Sequence, residues 1–294
     1  MTFNPNADVS DNTAQRRGGG RRTGMVVGGG AVGLGAIVVA LVAILTNGQV
    51  DLSGIVGTGG EPQQQETTAA TGEFAACKTG ADANTNDDCR LAAASLLLDD
   101  FWAANMDGYV KPTEVVYSGT TESACGTASN QMGPFYCPPD QSVYVDPSFF
   151  EIMRQQFGAS AGNLAQLYVV GHEYGHHVQN LIGVMEKYPN NGTGADSNSV
   201  RTELQADCFA GGWIKNITQS KDKNGVPYMK EPTEAQIKDA LNAAAAVGDN
   251  NIQSRSGYVN PDTWTHGSSE QRQTWFWTGY TQGINACDTF DGPL

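Results

Sequence analysis

The stretch Gly171-His172-Glu173-Tyr174-Gly175-His176-His177-Val178-Gln179 decides how the rest of the chain reads. It contains His-Glu-x-x-His. On an α-helix, residues four apart share a face, so His172 and His176 converge on one point and can bind one metal ion through neutral imidazoles. Glu173 lies beside that point. Zinc in a catalytic site keeps one position open and acidifies the water bound there. A neighbouring carboxylate can take that proton and return it to a leaving amine.

Only four histidines occur in the chain, and three of them (His172, His176, His177) fall within this window. The flanking apolar residues Leu164, Leu167, Tyr168, Val178, Leu181, Ile182 and Met185 recur at three- and four-residue steps, which predicts a helix over roughly 161–186. Gly171 and Gly175 each cost such a helix about 1 kcal/mol relative to Ala. They imply a close neighbour or room for substrate.

Two histidines leave a catalytic zinc one protein ligand short. Gln179 and Ile182 stand where a Gly and a third His would continue a metzincin pattern, which excludes that class. The remaining candidates are Glu203, Asp207 and His266. Glu203 and Asp207 are four apart on a second expected helix, roughly 197–218. The division that suits their chemistry has Glu203 on the metal and Asp207 bonded to the outer nitrogen of a ligating histidine. His177 points about 100° away from His176 and suits packing or hydrogen bonding. His266 is either a donor to a tetrahedral oxyanion or a loop histidine next to a helix start at Ser268. Tyr174 and Tyr258 are weaker candidates for the donor role.

The net charge of −14 argues against nucleic acid as a partner, which needs basic patches. Residues 1–24 contribute +2 of that charge and residues 25–46 none, leaving −16 for residues 47–294. The 1–24 stretch reads as a disordered basic tail carrying Arg16, Arg17, Arg21 and Arg22. Residues 25–46 are uncharged and long enough for a transmembrane helix. The preceding arginines would place the N-terminus in the cytoplasm and the rest of the chain outside it, making a single-pass cell-membrane protein. The Gly-, Gln- and Thr-rich residues 47–72 read as a flexible linker. A folded domain is expected over 73–294.

All six cysteines (Cys77, Cys89, Cys125, Cys137, Cys208, Cys287) follow the apolar run. Their even number in an oxidising compartment predicts disulfides. Spacing does not choose among the pairings, although short loops favour Cys77–Cys89 and Cys125–Cys137, leaving Cys208–Cys287. Further helices are expected over 89–106, 147–158, 233–247 and 268–284. Val115–Tyr117 and Ser142–Val145 read as short strands. The Ser142–Asp146 segment is the candidate to align an extended substrate. The fold class is α+β, mainly helical, with a small sheet.

His172-Glu173-Tyr174-Gly175-His176-His177-Val178-Gln179, followed by Arg201-x-Glu203-Leu204-Gln205-Ala206-Asp207-Cys208-x-Ala210-Gly211-x-Trp213, resembles the bacterial neutral zinc metallopeptidase family. Cys125-Gly126, Gly133-Pro134-Phe135-Tyr136-Cys137-Pro138, Tyr144-x-Asp146, Gly248-Asp249 and Thr265-His266-Gly267-Ser268-Ser269-x-Gln271-Arg272 extend the resemblance over roughly 73–294. The family is similar to gluzincins. That implies a zincin-like domain with one Zn2+, Glu203 as third ligand, Asp207 as its partner, and a membrane segment at the N-terminus. The expected activity is hydrolysis of peptide bonds in peptide or protein substrates by a zinc-activated water, with Glu173 as catalytic base. Two other functions suit the same residues: an envelope protein with a structural zinc closed by a fourth ligand (Asp207 or His266), and an amidase acting on peptidoglycan peptides. Oligomeric state is not legible.

Overall fold

The computed structural model describes residues 3–17, 74–189 and 192–294. It is α+β, with most of its regular structure helical. In chain order the main elements are β1 (Gln15–Arg17), α1 (Gly80–Thr85), α2 (Asp87–Asn105), β2 (Thr113–Tyr117), β3 (Thr120–Ser123), β4 (Gly126–Ser129), β5 (Phe135–Cys137) and β6 (Ser142–Val145). There follow α3 (Phe149–Ile152), α4 (Asn163–Leu181), α5 (Val184–Lys187), α6 (Asn198–Asn216), α7 (Glu234–Ala246), α8 (Asp249–Ser254) and α9 (Ser269–Gln282).

The helix boundaries follow local chemistry. Ser197 caps α6 by accepting from the Val200 N–H. Thr233 with Gln236, and Ser268 with Gln271, form reciprocal capping boxes at the starts of α7 and α9. The α4 helix ends at Gly183, whose positive φ turns the chain into α5. Helix α2 is buried nearly all round through Leu91, Ala92, Ala93, Ala94, Leu97 and Leu98, so it is a core helix rather than an amphipathic one.

Helix α4 lies at the centre, packed against α2, α6 and α7 and against strands β5 and β6. A Cβ on Gly175 would stand 2.9 Å from the Ala206 Cα, so this glycine serves the close crossing of α4 and α6. The main sheet has the order β1-β2-β6-β5, with β1 and β6 parallel to β2 and β5 antiparallel to β6. β3 and β4 form a separate hairpin. The two strands expected from the sequence pair directly, in parallel register from Thr113–Ser142 to Val116–Val145. Three disulfides join Cys77–Cys89, Cys125–Cys137 and Cys208–Cys287, the pairing that short loops favour.

Two expectations change, and a third falls outside the described residues. Residues 3–17 are not a disordered tail: Phe3, Ala7 and Val9 are fully buried against the domain and Gln15–Arg17 form the first strand of its sheet. Burial of side chains such as Phe3 and Val9 stabilises by about 1.5–3 kcal/mol each, which offsets the ordering of a polar segment. The substrate-aligning role expected of Ser142–Asp146 does not fit, because β6 is paired on both sides and the edge strand is β5. Among the described residues no helix is long and apolar enough to cross a membrane; the 25–46 run expected to do so lies outside the described residues, as does the 47–72 linker.

Candidate metal centre

Helix α4 brings His172 and His176 one turn apart, and α6 crosses it so that Glu203 faces both. Ligand atoms of these three buried residues lie within 4.8 Å of one another. The two Nε2 atoms are 3.1 Å apart. Glu203 oxygens stand 3.2 Å from His172 Nε2 and 3.4 Å from His176 Nε2.

The outer nitrogens fix the tautomers. His172 Nδ1 donates to Asp207 Oδ1 at 2.8 Å, and His176 Nδ1 donates to Gln179 Oε1 at 2.8 Å. In the neutral rings that a metal ion requires, each Nε2 therefore presents a lone pair inward; without the metal, a proton can take that place. Two imidazole lone pairs and a carboxylate meeting at such distances repel one another unless a cation lies among them. Two imidazoles and a carboxylate form a donor set that zinc accepts, and three protein ligands leave a position for water.

Burial opposes a charge on His172, but the Asp207 and Glu203 carboxylates outweigh it and push the imidazole up to about 10. Burial likewise opposes the Glu203 charge, yet the histidines outweigh it and hold the carboxyl well below its usual range. The pocket favours positive charge at this point. Glu173 behaves differently: burial raises its carboxyl above the ordinary value, and the two histidines only temper the rise. That direction suits a group that must take and return a proton near neutrality. The Tyr136 backbone, on edge strand β5, also tempers the rise, so the strand next to the Glu173 carboxyl is β5.

Asp207 is fully buried and fully partnered. Its Oδ1 accepts from His172, from the Tyr168 hydroxyl at 2.5 Å and from Arg272 Nη2 at 2.9 Å; its Oδ2 accepts from Arg272 Nε at 2.8 Å. Arg272, from the first turns of α9, outweighs burial and keeps Asp207 ionised. On the other histidine, Gln179 Nε2 donates to the Thr202 carbonyl and to Gln205 Oε1, and Gln205 donates to the Cys287 carbonyl. The Cys208–Cys287 bridge thus ties the C-terminal segment to the group that orients His176.

His266 is buried in the loop before α9, within electrostatic reach of Glu203. Asp249 holds it: Oδ2 accepts the backbone N–H of Thr265, His266 and Gly267 at 2.7–3.0 Å, and Oδ1 lies 3.2 Å from His266 Nδ1. Nδ1 donates to the Asp249 carboxylate, so the neutral ring presents an Nε2 lone pair and the imidazolium an Nε2–H donor. His177 is a packing residue as expected: its Nε2 donates to the Val110 carbonyl at 2.6 Å and its Nδ1 accepts from the Tyr136 hydroxyl at 3.0 Å. Tyr174 is buried on a different face of α4 from His172 and His176, and Tyr258 is 72% exposed; neither joins the centre.

The sequence reading assigned no role to Arg272, Asp249, Tyr168, Gln179 or Tyr136. Arg272 and Asp249 stood inside motifs already noted, next to Gln271 and Gly248.

A His-Glu-x-x-His helix crossed by a helix that adds a glutamate brings together a His-His-Glu group able to hold a zinc ion. Residues 4–290 match the family described as "Putative neutral zinc metallopeptidase", and the chain belongs to that family. It is 46% identical over 245 residues to the uncharacterized protein Rv2575 of Mycobacterium tuberculosis, covering 82% of this chain and 83% of that one. It is 39% identical over 300 residues to the uncharacterized protein YpfJ of Escherichia coli K12, covering 96% of each. No solved structure matches the chain.

Proposed function

We propose that the protein is a zinc-dependent peptidase in which His172, His176 and Glu203 hold the metal and Glu173 is general base and then general acid. The observation that carries this reading is the inward convergence of two imidazole lone pairs and the Glu203 carboxylate beside a carboxyl that burial keeps basic. Zinc bound there would supply an acidified water and polarise a scissile carbonyl. Glu173 would hold that water's proton and deliver it to the departing amine. His266, oriented by Asp249, would donate from Nε2 in its imidazolium form to the oxygen on which negative charge develops. The N–H groups of edge strand β5 suit an extended peptide better than the internal β6.

The alternative of a closed structural zinc needs a fourth protein ligand. Asp207 is engaged by His172 Nδ1, Tyr168 and Arg272, and the His-His-Glu group numbers three residues among those described. This favours an open, catalytic position. Three disulfides suit an extracytoplasmic location, which is part of the proposal. Membrane association through the apolar run 25–46 is also part of it, supported by composition alone.

The test is metal content of the full chain, wild type and Glu203→Ala, alongside cleavage of a diverse peptide library and of peptidoglycan peptides. The expected result is one zinc per chain, lost in the variant, with chelator-sensitive cleavage. Zinc retained by Glu203→Ala would refute the ligand set, and loaded protein that cleaves neither substrate class would refute the peptidase reading.

A further inference from the structure

We propose that residues 3–17 and residues 74–294 lie on the same side of the membrane, in one compartment. The inference is independent of the peptidase reading. It rests on how the N-terminal segment is bound.

That segment is built into the domain by its backbone. The Asn84 side-chain amide takes both polar groups of Phe3, accepting from its N–H and donating to its carbonyl, each at 2.8 Å. Asn4 N–H donates to the Tyr228 carbonyl, Val9 N–H to the Lys78 carbonyl, and Gly80 N–H to the Ala7 carbonyl. Asp8 N–H donates to Asp222, whose carboxylate also gathers the N–H groups of Asn224 and Val226. A Cβ on Gly80 would stand 2.0 Å from the Asn4 carbonyl oxygen, so this glycine is the seat of the incoming segment. Phe3, Ala7 and Val9 belong to the same hydrophobic core as α2 and α4.

The segment then completes the sheet. β1 adds in parallel to β2, opposite Val115, Val116 and Tyr117, at the edge away from β5. Arg16 pairs with Asp88, and Arg17 donates to the Glu122 carbonyl and lies over the Tyr144 ring. Two of the four arginines that would mark a cytoplasmic tail are therefore engaged by the domain itself. The family match begins at residue 4, inside this segment.

Placing residues 3–17 on the opposite face of a bilayer from residues 74–294 would strip the sheet of its edge strand and expose Phe3 and Val9. The three disulfides suit an oxidising compartment, and the docked segment must share it.

All six native cysteines are paired, so one introduced cysteine is a unique thiol. Asn6 and Lys238 are both exposed, the first on the docked segment and the second on α7. Full-length Asn6→Cys and Lys238→Cys would each be treated with a membrane-impermeant maleimide, on intact bacterial cells and after lysis. The expected result is the same pattern at both positions. Labelling of one in intact cells and of the other only after lysis would overturn the proposal. As a check on docking, Phe3→Asp in the full chain should speed hydrogen exchange at the Val9 N–H. Exchange that is fast in the wild type and unchanged by the substitution would also overturn it.

Discussion

Asp207 and Glu114 are both buried carboxyl groups, packed near the same helix α4 on different faces, yet their surroundings shift them in opposite directions. Asp207 meets Arg272 in a two-pronged ion pair, the Tyr168 hydroxyl and His172, and it stays ionised. Glu114, next to Tyr174, finds no hydrogen-bond partner for either oxygen, and burial together with the Asp99 charge raises its carboxyl well above the usual range. Burial alone does not set the charge of a buried acid; the partners assembled around it do. The metal side of α4 is where the fold supplies those partners.

Asp207→Asn should produce the largest effect on stability. It leaves the buried Arg272 guanidinium without its carboxylate, a loss of about 3–5 kcal/mol measurable by denaturant unfolding, with weaker metal retention as well. A change no larger than at an exposed site would break the comparison. Within the paired side, His266→Ala should lower kcat by about a hundred- to a thousand-fold while leaving metal content intact, as for loss of an oxyanion donor. Asp249→Asn should act in the same direction through the orientation of His266.

The Glu114 side makes a pH prediction. Burial raises Asp99 from 3.8 to about 6, against the opposing pull of Lys111 and Tyr109. A carboxyl raised on folding binds its proton more tightly in the native state. Its contribution to stability is therefore complete below 3.8 and lost as pH rises through about 6. Unfolding free energy measured across that window should fall with pH, and Asp99→Asn should flatten the slope. Glu114→Gln should have the smallest effect, about 1 kcal/mol or less, because an amide stands in for an already neutral carboxyl. A loss as large as that of Asp207→Asn would mean Glu114 is ionised.

The two halves of the metal centre were not equally legible. His172, Glu173 and His176 follow from helical spacing within five residues, and their placement required only that the segment be a helix. Glu203 and Asp207 were legible as a shared face, but their meeting with α4 depends on the crossing that Gly175 permits. Arg272 lies 65 residues beyond Asp207, and no local period connects them. The caps at Ser197, Thr233 and Ser268 were near enough to their helices to mark the boundaries. β5 and the β3–β4 hairpin are three or four residues long, too short for alternation to register. The N-terminal segment was misread because polar, Gly-rich composition describes its surroundings, whereas three small or aromatic contacts and a line of backbone bonds decide its place.

The central claim is that one carboxyl performs the chemistry while three other residues hold the metal. The direct measurement is zinc content and peptide hydrolysis of Glu173→Gln beside the wild type, both as full-length protein. The account predicts one zinc per chain in each and hydrolysis in the wild type alone. A Glu173→Gln protein that still cleaves peptides at the wild-type rate would contradict it.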